Sequence, residues 1–529
     1  MTEGRTLKMT KSHVVGHAMA EALPESKKSW IFEPHLRGLN FRLLVILMSA
    51  STLGFDATMM NGLQALKTWR TFFDEPSPAL LGTINAMFPL GKILGALPSG
   101  WVADKFGRKY TLAFGILILI FGAGLQGGAP NLATFIAARF VLGFGSEFGS
   151  VPAPVLITEL AYPTHRGKVS SLYQTVFYVG AIGASWSTFG SFQLQSSTWS
   201  WRIPSLLQGL FPIIQLFTIW FVPESPRWLV GKGRVDEARA IVCRWHAGGD
   251  DTAPLIDYEM NEMVSHLQAE AEIADMGWRS LWKTKADRKR TAVACFVPIL
   301  AQWTGTGLVT YYLSLVLNTV GVTDPFYQTL INGILQIFNF IAAIGGALMV
   351  DRVGRRPLLL FSCIGMLWSF IVLTACSGAF NSTRVPSLGV TVVVFIFVYY
   401  FHYDVAITPL TFAYPVEIVP FHTRQKTIAA NYLVNALLLM FNSFVNPIAL
   451  TAIGWRYYIV YIVTIAISTV VVFLFFPETR GHSLESIADL FDGPALVYKQ
   501  KKHNETLDQD NDNIEVGSNK EAVEMVEKA

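Results

Sequence analysis

Twelve apolar stretches, each close to the length that crosses a hydrocarbon layer, decide what this chain can fold into. They run at 42–62, 82–103, 110–127, 132–154, 169–193, 202–222, 291–318, 327–350, 357–378, 388–413, 426–450 and 455–476. About 20 residues of α-helix span such a layer, and inside it each backbone N–H and C=O has to be paired within the chain. With 52% of its residues hydrophobic and only 15% charged, the chain lacks the polar surface that a soluble body of 529 residues needs. The expectation is an all-α membrane protein of twelve transmembrane helices. Several runs carry Gly, Pro or a charge, which a span tolerates only against protein or a watery interior.

The basic residues set the orientation. Lys105, Arg108 and Lys109, then Arg166 and Lys168, follow the second and fourth spans, and Arg352, Arg355, Arg356, Arg424 and Lys426 hold the corresponding places later. The opposite loops carry Lys67, Arg70 and Arg384. The positive-inside rule then puts both termini in the cytoplasm. The expected organisation is a cytoplasmic tail (1–41), a six-helix bundle (42–222), a cytoplasmic helical linker (223–290), a second six-helix bundle (291–481) and a largely disordered cytoplasmic tail (482–529). The first forty residues contain no apolar run, so the first span is expected to act as the insertion signal. Cys243, Cys295, Cys363 and Cys376 are scattered and suggest neither a disulfide framework nor a zinc site.

The halves repeat each other. Asp104-Lys-Phe-Gly-Arg108-Lys109 returns as Asp351-Arg-Val-Gly-Arg355-Arg356, and Glu159, seven residues before Arg166, returns as Glu417, seven before Arg424. Pro223-Glu224-Ser-Pro-Arg227 returns as Pro477-Glu478-Thr-Arg480. Two pseudo-symmetric bundles of this kind place a solute site between them near the midplane.

These motifs, together with Arg139 in the fourth span, resemble the sugar porter family of the major facilitator superfamily from about Leu43 to Glu485. The run Gln302-Trp-Thr-Gly-Thr306-Gly307 with Tyr311-Tyr312 is most similar to the fungal lactose and cellodextrin permease branch. The resemblance implies carriage of a hexose or disaccharide, proton-coupled, by alternating access at the plasma membrane, with a monomer in the bilayer and no cofactor or nucleic acid. A sugar or polyol facilitator, a metabolite exporter and a non-transporting nutrient receptor stay open beside it. No P-loop and no nucleophile–base set points to a pump or an enzyme.

The resemblance also assigns residues. Asp56, a carboxylate inside the first span, is the expected proton acceptor and Arg139 its partner; an unchanging ion pair is the alternative. Gln174, Gln302, Thr306, Asn339, Phe412 and Asn435 are expected to contact solute, although amides also stitch helices together in lipid. The sets Asp104, Arg108, Glu159, Arg166, Glu224 and Arg227, and Asp351, Arg355, Glu417, Arg424, Glu478 and Arg480, are expected to clamp the bundles together on the inner side as a gate of ion pairs. Against the glucose-facilitator pattern, Ala301 and Gly307 replace amides, and Phe412 and Ala436 replace indoles. A wider, less polar cavity for a bulkier solute is expected, unless other residues compensate. Asp404 reads as structural or as a second titrating group, Lys92 as snorkelling towards an interface, and Glu147 has no assigned role. Asn381-Ser-Thr383 is a glycosylation sequon expected in an outward loop, while Asn504-Glu-Thr506 is expected to stay bare. No metal site is expected.

Overall fold

A computed structural model describes residues 33–194, 196–274 and 278–480, with Leu23 and Phe491; of the terminal tails expected above, residues 33–41, Leu23 and Phe491 are described and the rest lie outside the described residues. The spans of the first half are α1 (Pro34–Ala65), α3 (Pro78–Phe106), α4 (Arg108–Gly127), α5 with α6 (Leu132–Ser150, Pro152–Leu160), α7 (Arg166–Ser191) and α8 with α9 (Trp199–Leu207, Leu210–Thr218); α2 (Lys67–Phe72) is a short outer turn. Pro152 breaks the fourth span by removing a backbone donor. The linker folds as α10 (Pro226–Gly231), α11 (Val235–His246) and α12 (Pro254–Ala274). The second half is α13 with α14 (Lys285–Gln302, Thr306–Thr319), α15 (Pro325–Val353), α16 (Arg355–Thr383), α17 (Pro386–Ile418), α18 (Phe421–Ile453) and α19 (Tyr457–Phe475). The helices overrun the apolar stretches: α1 starts at Pro34 and α17 reaches Ile418, because helix continues past the hydrocarbon until a proline or an extended residue stops it.

Helix α7 is long enough to span yet is absent from the strongly apolar set. It is interior: Gly180 lies against the Ser51 backbone and Gly54 of α1 against the Phe177 backbone, so the two helices meet main chain to main chain. Each half repeats the same pairings, with α1 on α7 as α13 is on α18, and α3 on α5 as α15 is on α17. The hydrophobic core divides accordingly. One cluster, from Val293 to Phe476, belongs to the second half, the other large clusters belong to the first half and the linker helix packed on it, and the small group Tyr178, Ala181 and Ala343 bridges the two.

Between halves the main contacts are α3 on α18 and α7 on α15, again symmetry mates. The face bearing the Arg108 and Arg355 loops is called the basic face. At the opposite face the halves are bonded by neutral groups. Asn61 Nδ2 donates to Asn332 Oδ1 at 3.3 Å, Asn332 Nδ2 to Ser185 Oγ at 3.1 Å, and Gln64 Nε2 to the Tyr311 carbonyl at 3.1 Å. Phe326 packs on Phe189 with centroids 5.5 Å apart. The molecule is therefore closed away from the basic face.

The linker has its own core of Leu229, Ala238, Val242, Ile256, Met260 and Met263 and sits on the first half. Buried His246 holds Glu259 through Nδ1 (2.6 Å) and the Leu160 carbonyl through Nε2 (3.1 Å), and Arg42 stacks on Trp245 at 4.1 Å. The sequon differs from expectation. Asn381 lies in the last turn of α16, where the Ser382 and Thr383 hydroxyls bond the Ala379 carbonyl and extend the helix, so the site is helical and not in a loop.

A Cβ at Gly82 would stand 2.7 Å from the Phe444 carbonyl oxygen of the other half, whereas one at Gly91 would strike the Phe140 carbonyl of its own half. Gly82→Val is therefore expected to open the face opposite the basic loops without unfolding the bundle, read as several-fold faster labelling of a Gln64→Cys reporter by an impermeant maleimide at near-constant Tm. Gly91→Val should instead lower Tm. Equal labelling rates in Gly82→Val and its parent would contradict the close-approach argument.

Candidate functional site

The basic face is built twice on one plan. Gly107 and Gly354 begin α4 and α16 with φ of +102° and +106°, a left-handed backbone where glycine is favoured. Neither can cap its helix with a side chain, and a remote carboxylate does so instead. Glu224 accepts from the N–H groups of Arg108 (3.0 Å), Lys109 (3.1 Å) and Ser225 (2.8 Å), and Glu478 from those of Arg355 (2.9 Å) and Arg356 (3.0 Å). A negative charge on the orphan N–H groups of a helix start satisfies both hydrogen bonding and the helix dipole. Burial pushes the Glu224 carboxyl above the usual range, offset only in part by its N–H donors. At Glu478 burial acts in the same direction, but the donors of Arg355, Arg480, Arg356 and Thr479 outweigh it and the carboxyl lies below the usual range.

The second carboxylate of each set takes the arginine. Arg108 Nε lies 3.6 Å from Glu159 and its Nη1 3.3 Å from Asp104, while Arg355 grips Glu417 with Nη2 at 2.9 Å and Nε at 3.1 Å. Ser225 Oγ and Thr479 Oγ1 each donate to the same carboxylates at 2.5 Å. Arg424 reaches the Val419 carbonyl, and Arg480 is exposed beside Glu478. The Asp351 side chain lies outside the described residues, and no bond is recorded for Arg227. Among the described residues each ion pair at this face lies within one half. Among the described residues no ion pair of the expected clamp joins the two bundles, and Glu224 and Glu478 act as helix caps.

In the first half, Asp56 is fully buried and, among the described residues, neither carboxylate oxygen has a hydrogen-bond partner. Arg139 is its neighbour, but Nη1 donates to the Asp56 backbone carbonyl (3.4 Å) and the guanidinium lies 4.8 Å over the Phe88 ring. The direct carboxylate–guanidinium pair expected from the sequence is absent here.

In the second half the seventh span breaks at Trp303-Thr304-Gly305, with Gly305 at φ +97° and the Phe370 ring where its Cβ would be. The carbonyls released are caught by side chains: Ala301 by Tyr403 (3.2 Å), Gln302 by Asn442 (2.6 Å), Trp303 by Thr464 (2.7 Å) and Thr304 by Tyr399 (3.0 Å). Gln302 Nε2 donates to Asn435 Oδ1 (3.1 Å), and Thr306 bonds the Tyr399 hydroxyl (2.8 Å). Gln302, Thr306, Asn435 and Phe412 are half-buried; so is Gln174 in the first half, with no bond recorded. Asn339 is buried with an unpartnered Oδ1.

Asn442 and Asn446 stand against Gly307, and Tyr432 lies beside Phe412 with centroids 5.2 Å apart. Tyr432 stands eight residues after Arg424, as Gln174 stands eight after Arg166, and that spacing alone could have drawn attention to it. Asp404 accepts from Tyr178 of the other half (2.5 Å) and from Thr408 (2.8 Å), so it ties the halves together. Lys92 does not snorkel. It pairs with Glu147 at 3.1 Å, because it points away from the exposed stripe of Leu94, Leu97 and Trp101 on its own helix.

The capping geometry carries a test. Glu478→Gln is expected to cost about 1 kcal/mol through the lost charge on the helix start, seen as a lower Tm in detergent. Glu224→Gln should cost less, since burial already disfavours the charge there; a larger drop for Glu224→Gln would contradict this ordering.

Comparison with known proteins places this geometry. Residues 42–491 match the family model described as "Sugar (and other) transporter". The MFS-type transporter criB of Aspergillus cristatus is 27% identical over 453 residues, 85% of this chain and 93% of that protein. The high-affinity glucose transporter of Kluyveromyces lactis is 28% identical over 484 residues, 87% of this chain and 86% of that protein. Among solved structures, the inward-open xylose transporter XylE of E. coli superposes with a TM-score of 0.70 at 21% identity, over 86% of this chain and 100% of that one. On the family match, the chain belongs to the sugar (and other) transporter family: it is a multi-pass membrane transporter and not an enzyme.

Proposed function

We propose that the protein carries a neutral, hydroxyl-rich solute, a hexose or a disaccharide, together with a proton, by alternating access. The observation that carries the coupling is Asp56, buried at mid-span with both oxygens unpartnered while Arg139 stands beside it, bonded elsewhere. A carboxyl group bearing a proton can stay unpaired in such a place, whereas the carboxylate needs a cation. Moving the Arg139 guanidinium from the backbone carbonyl to the freed carboxylate is then the local event tied to proton release.

Solute recognition follows from the half-buried amides and hydroxyls. Gln302, Asn435 and Thr306 offer donors and acceptors beside the broken seventh span, and Phe412 with Tyr432 offers the apolar face that C–H groups of a sugar ring require. The neutral bonds at the closed face and the ion pairs confined within each half fit two bodies that rock about the site. Loop charge supports a cytoplasmic basic face, and so an inward-facing conformation with both termini inside. The paired arginines and carboxylates of the two halves would re-form contacts across that face when it closes, as a gate. The plasma membrane is the address this reading assigns.

Proteoliposome uptake of radiolabelled glucose, xylose and lactose, with and without an inward proton gradient, tests the reading. Accumulation that follows the gradient is expected. Asp56→Asn should abolish accumulation and retain counterflow exchange; normal accumulation by this variant would remove Asp56 from the coupling step.

A further inference from the structure

We propose that Lys92 and Glu147 form a solute-binding element of the first half, a preformed donor–acceptor pair that selects a neutral, polyhydroxylated solute; this rests on the carrier reading above. Three observations lead there. The pair joins the midpoints of α3 and the fourth span at 3.1 Å, and its side chains keep 22% and 12% exposure although Lys92 points away from the exposed stripe of Leu94, Leu97 and Trp101. An ammonium and a carboxylate at that depth reach solvent only through an internal water path. Helix α3, which carries Lys92, packs on α18 of the second half, and α18 carries Tyr432, itself 46% exposed.

The repeat supplies the third observation. Lys92 stands sixteen residues before Arg108, and Asn339 sixteen before Arg355, so the two occupy equivalent depths and faces of α3 and α15. Asn339 is one of the expected solute contacts, and its buried Oδ1 has no partner in this conformation. The duplicated fold therefore aims Lys92 at the solute from one half as it aims Asn339 from the other.

The chemistry defines the solute class. Glu147 can accept from two neighbouring hydroxyls while Lys92 donates to a hydroxyl oxygen, and charge-assisted bonds of this kind are the strong ones. Lys92 and Glu147 neutralise each other at 3.1 Å, so the pair itself presents no net charge that would favour an anion. Helix packing does not require the pair, since α3 and α5 already meet through Gly91 and Gly95 against the Phe140 and Phe144 backbone.

The test uses the full-length protein in proteoliposomes with glucose, xylose and lactose as probes. Glu147→Gln is expected to raise KM about tenfold with little change in kcat, the pattern of lost uniform binding. The exchanged pair, Lys92→Glu with Glu147→Lys, should keep Tm while losing affinity, because donor and acceptor have traded places. Lys92→Arg keeps the ion pair but alters donor geometry and should also raise KM at constant Tm. Wild-type KM in the exchanged pair or in Lys92→Arg would mark the pair as a helix staple and overturn the inference while leaving the carrier reading intact. Stronger competition by glucuronate than by glucose would overturn the neutral class. A wild-type protein that carries none of the three probes would remove the carrier reading itself, and this inference with it.

Discussion

An unpaired backbone N–H or C=O in hydrocarbon costs several kcal/mol, and that single cost organises the molecule. It makes every span a helix, and it makes each interruption informative, because a broken helix must find outside partners for the groups it releases. The seventh span shows how this is met. Four carbonyls around Trp303 are taken up by Tyr403, Asn442, Thr464 and Tyr399, drawn from three other helices. The break is thereby held open as a polar surface in mid-membrane, and Gln302, Thr306 and Asn435 gather beside it. The same cost explains the basic face, where helices starting at a glycine with no side chain borrow a carboxylate from a segment more than a hundred residues away.

Much of this was legible in the chain. Apolar length gave the spans, and the paired Asp-x-x-Gly-Arg motifs announced a duplication that the packing repeats helix for helix. What could not be read was which atom of a motif meets which. Glu224 and Asp104 look alike as acids near arginines, yet one receives backbone N–H groups and the other a guanidinium. That distinction depends on where the chain returns after a hundred residues, which local pattern does not encode. Lys92 was misread for a related reason. Its depth in the span is visible in sequence, but its interior face is fixed only when Leu94, Leu97 and Trp101 are seen to point outward.

The distribution of strong and weak bonds bears on movement. Among the described residues the ion pairs, the cap carboxylates and most of the backbone-to-backbone glycine contacts lie within each half, Gly82 against Phe444 being one that crosses, and all are costly to break. Between halves lie amide and hydroxyl bonds such as Asn61–Asn332 and Asn332–Ser185, each worth about 1 kcal/mol or less in membrane interiors. Two stiff bodies joined by a weak seam reorient as units, since any smaller motion would have to break the stronger set first.

Asp404 marks where that seam meets the chemistry. Its bond to Tyr178 crosses between halves and, unlike the amides at the closed face, involves a carboxyl buried without a cation. Rocking the halves apart at this level removes the Tyr178 donor and leaves Thr408 as the recorded partner. The group would then need water, a proton or a solute hydroxyl in its place. Asp56 in the first half faces the same need when Arg139 is engaged elsewhere. Each half thus holds one buried carboxyl group whose partner depends on conformation, and for that reason a proton, a solute hydroxyl and the movement of the halves can be linked through the exchange of that partner.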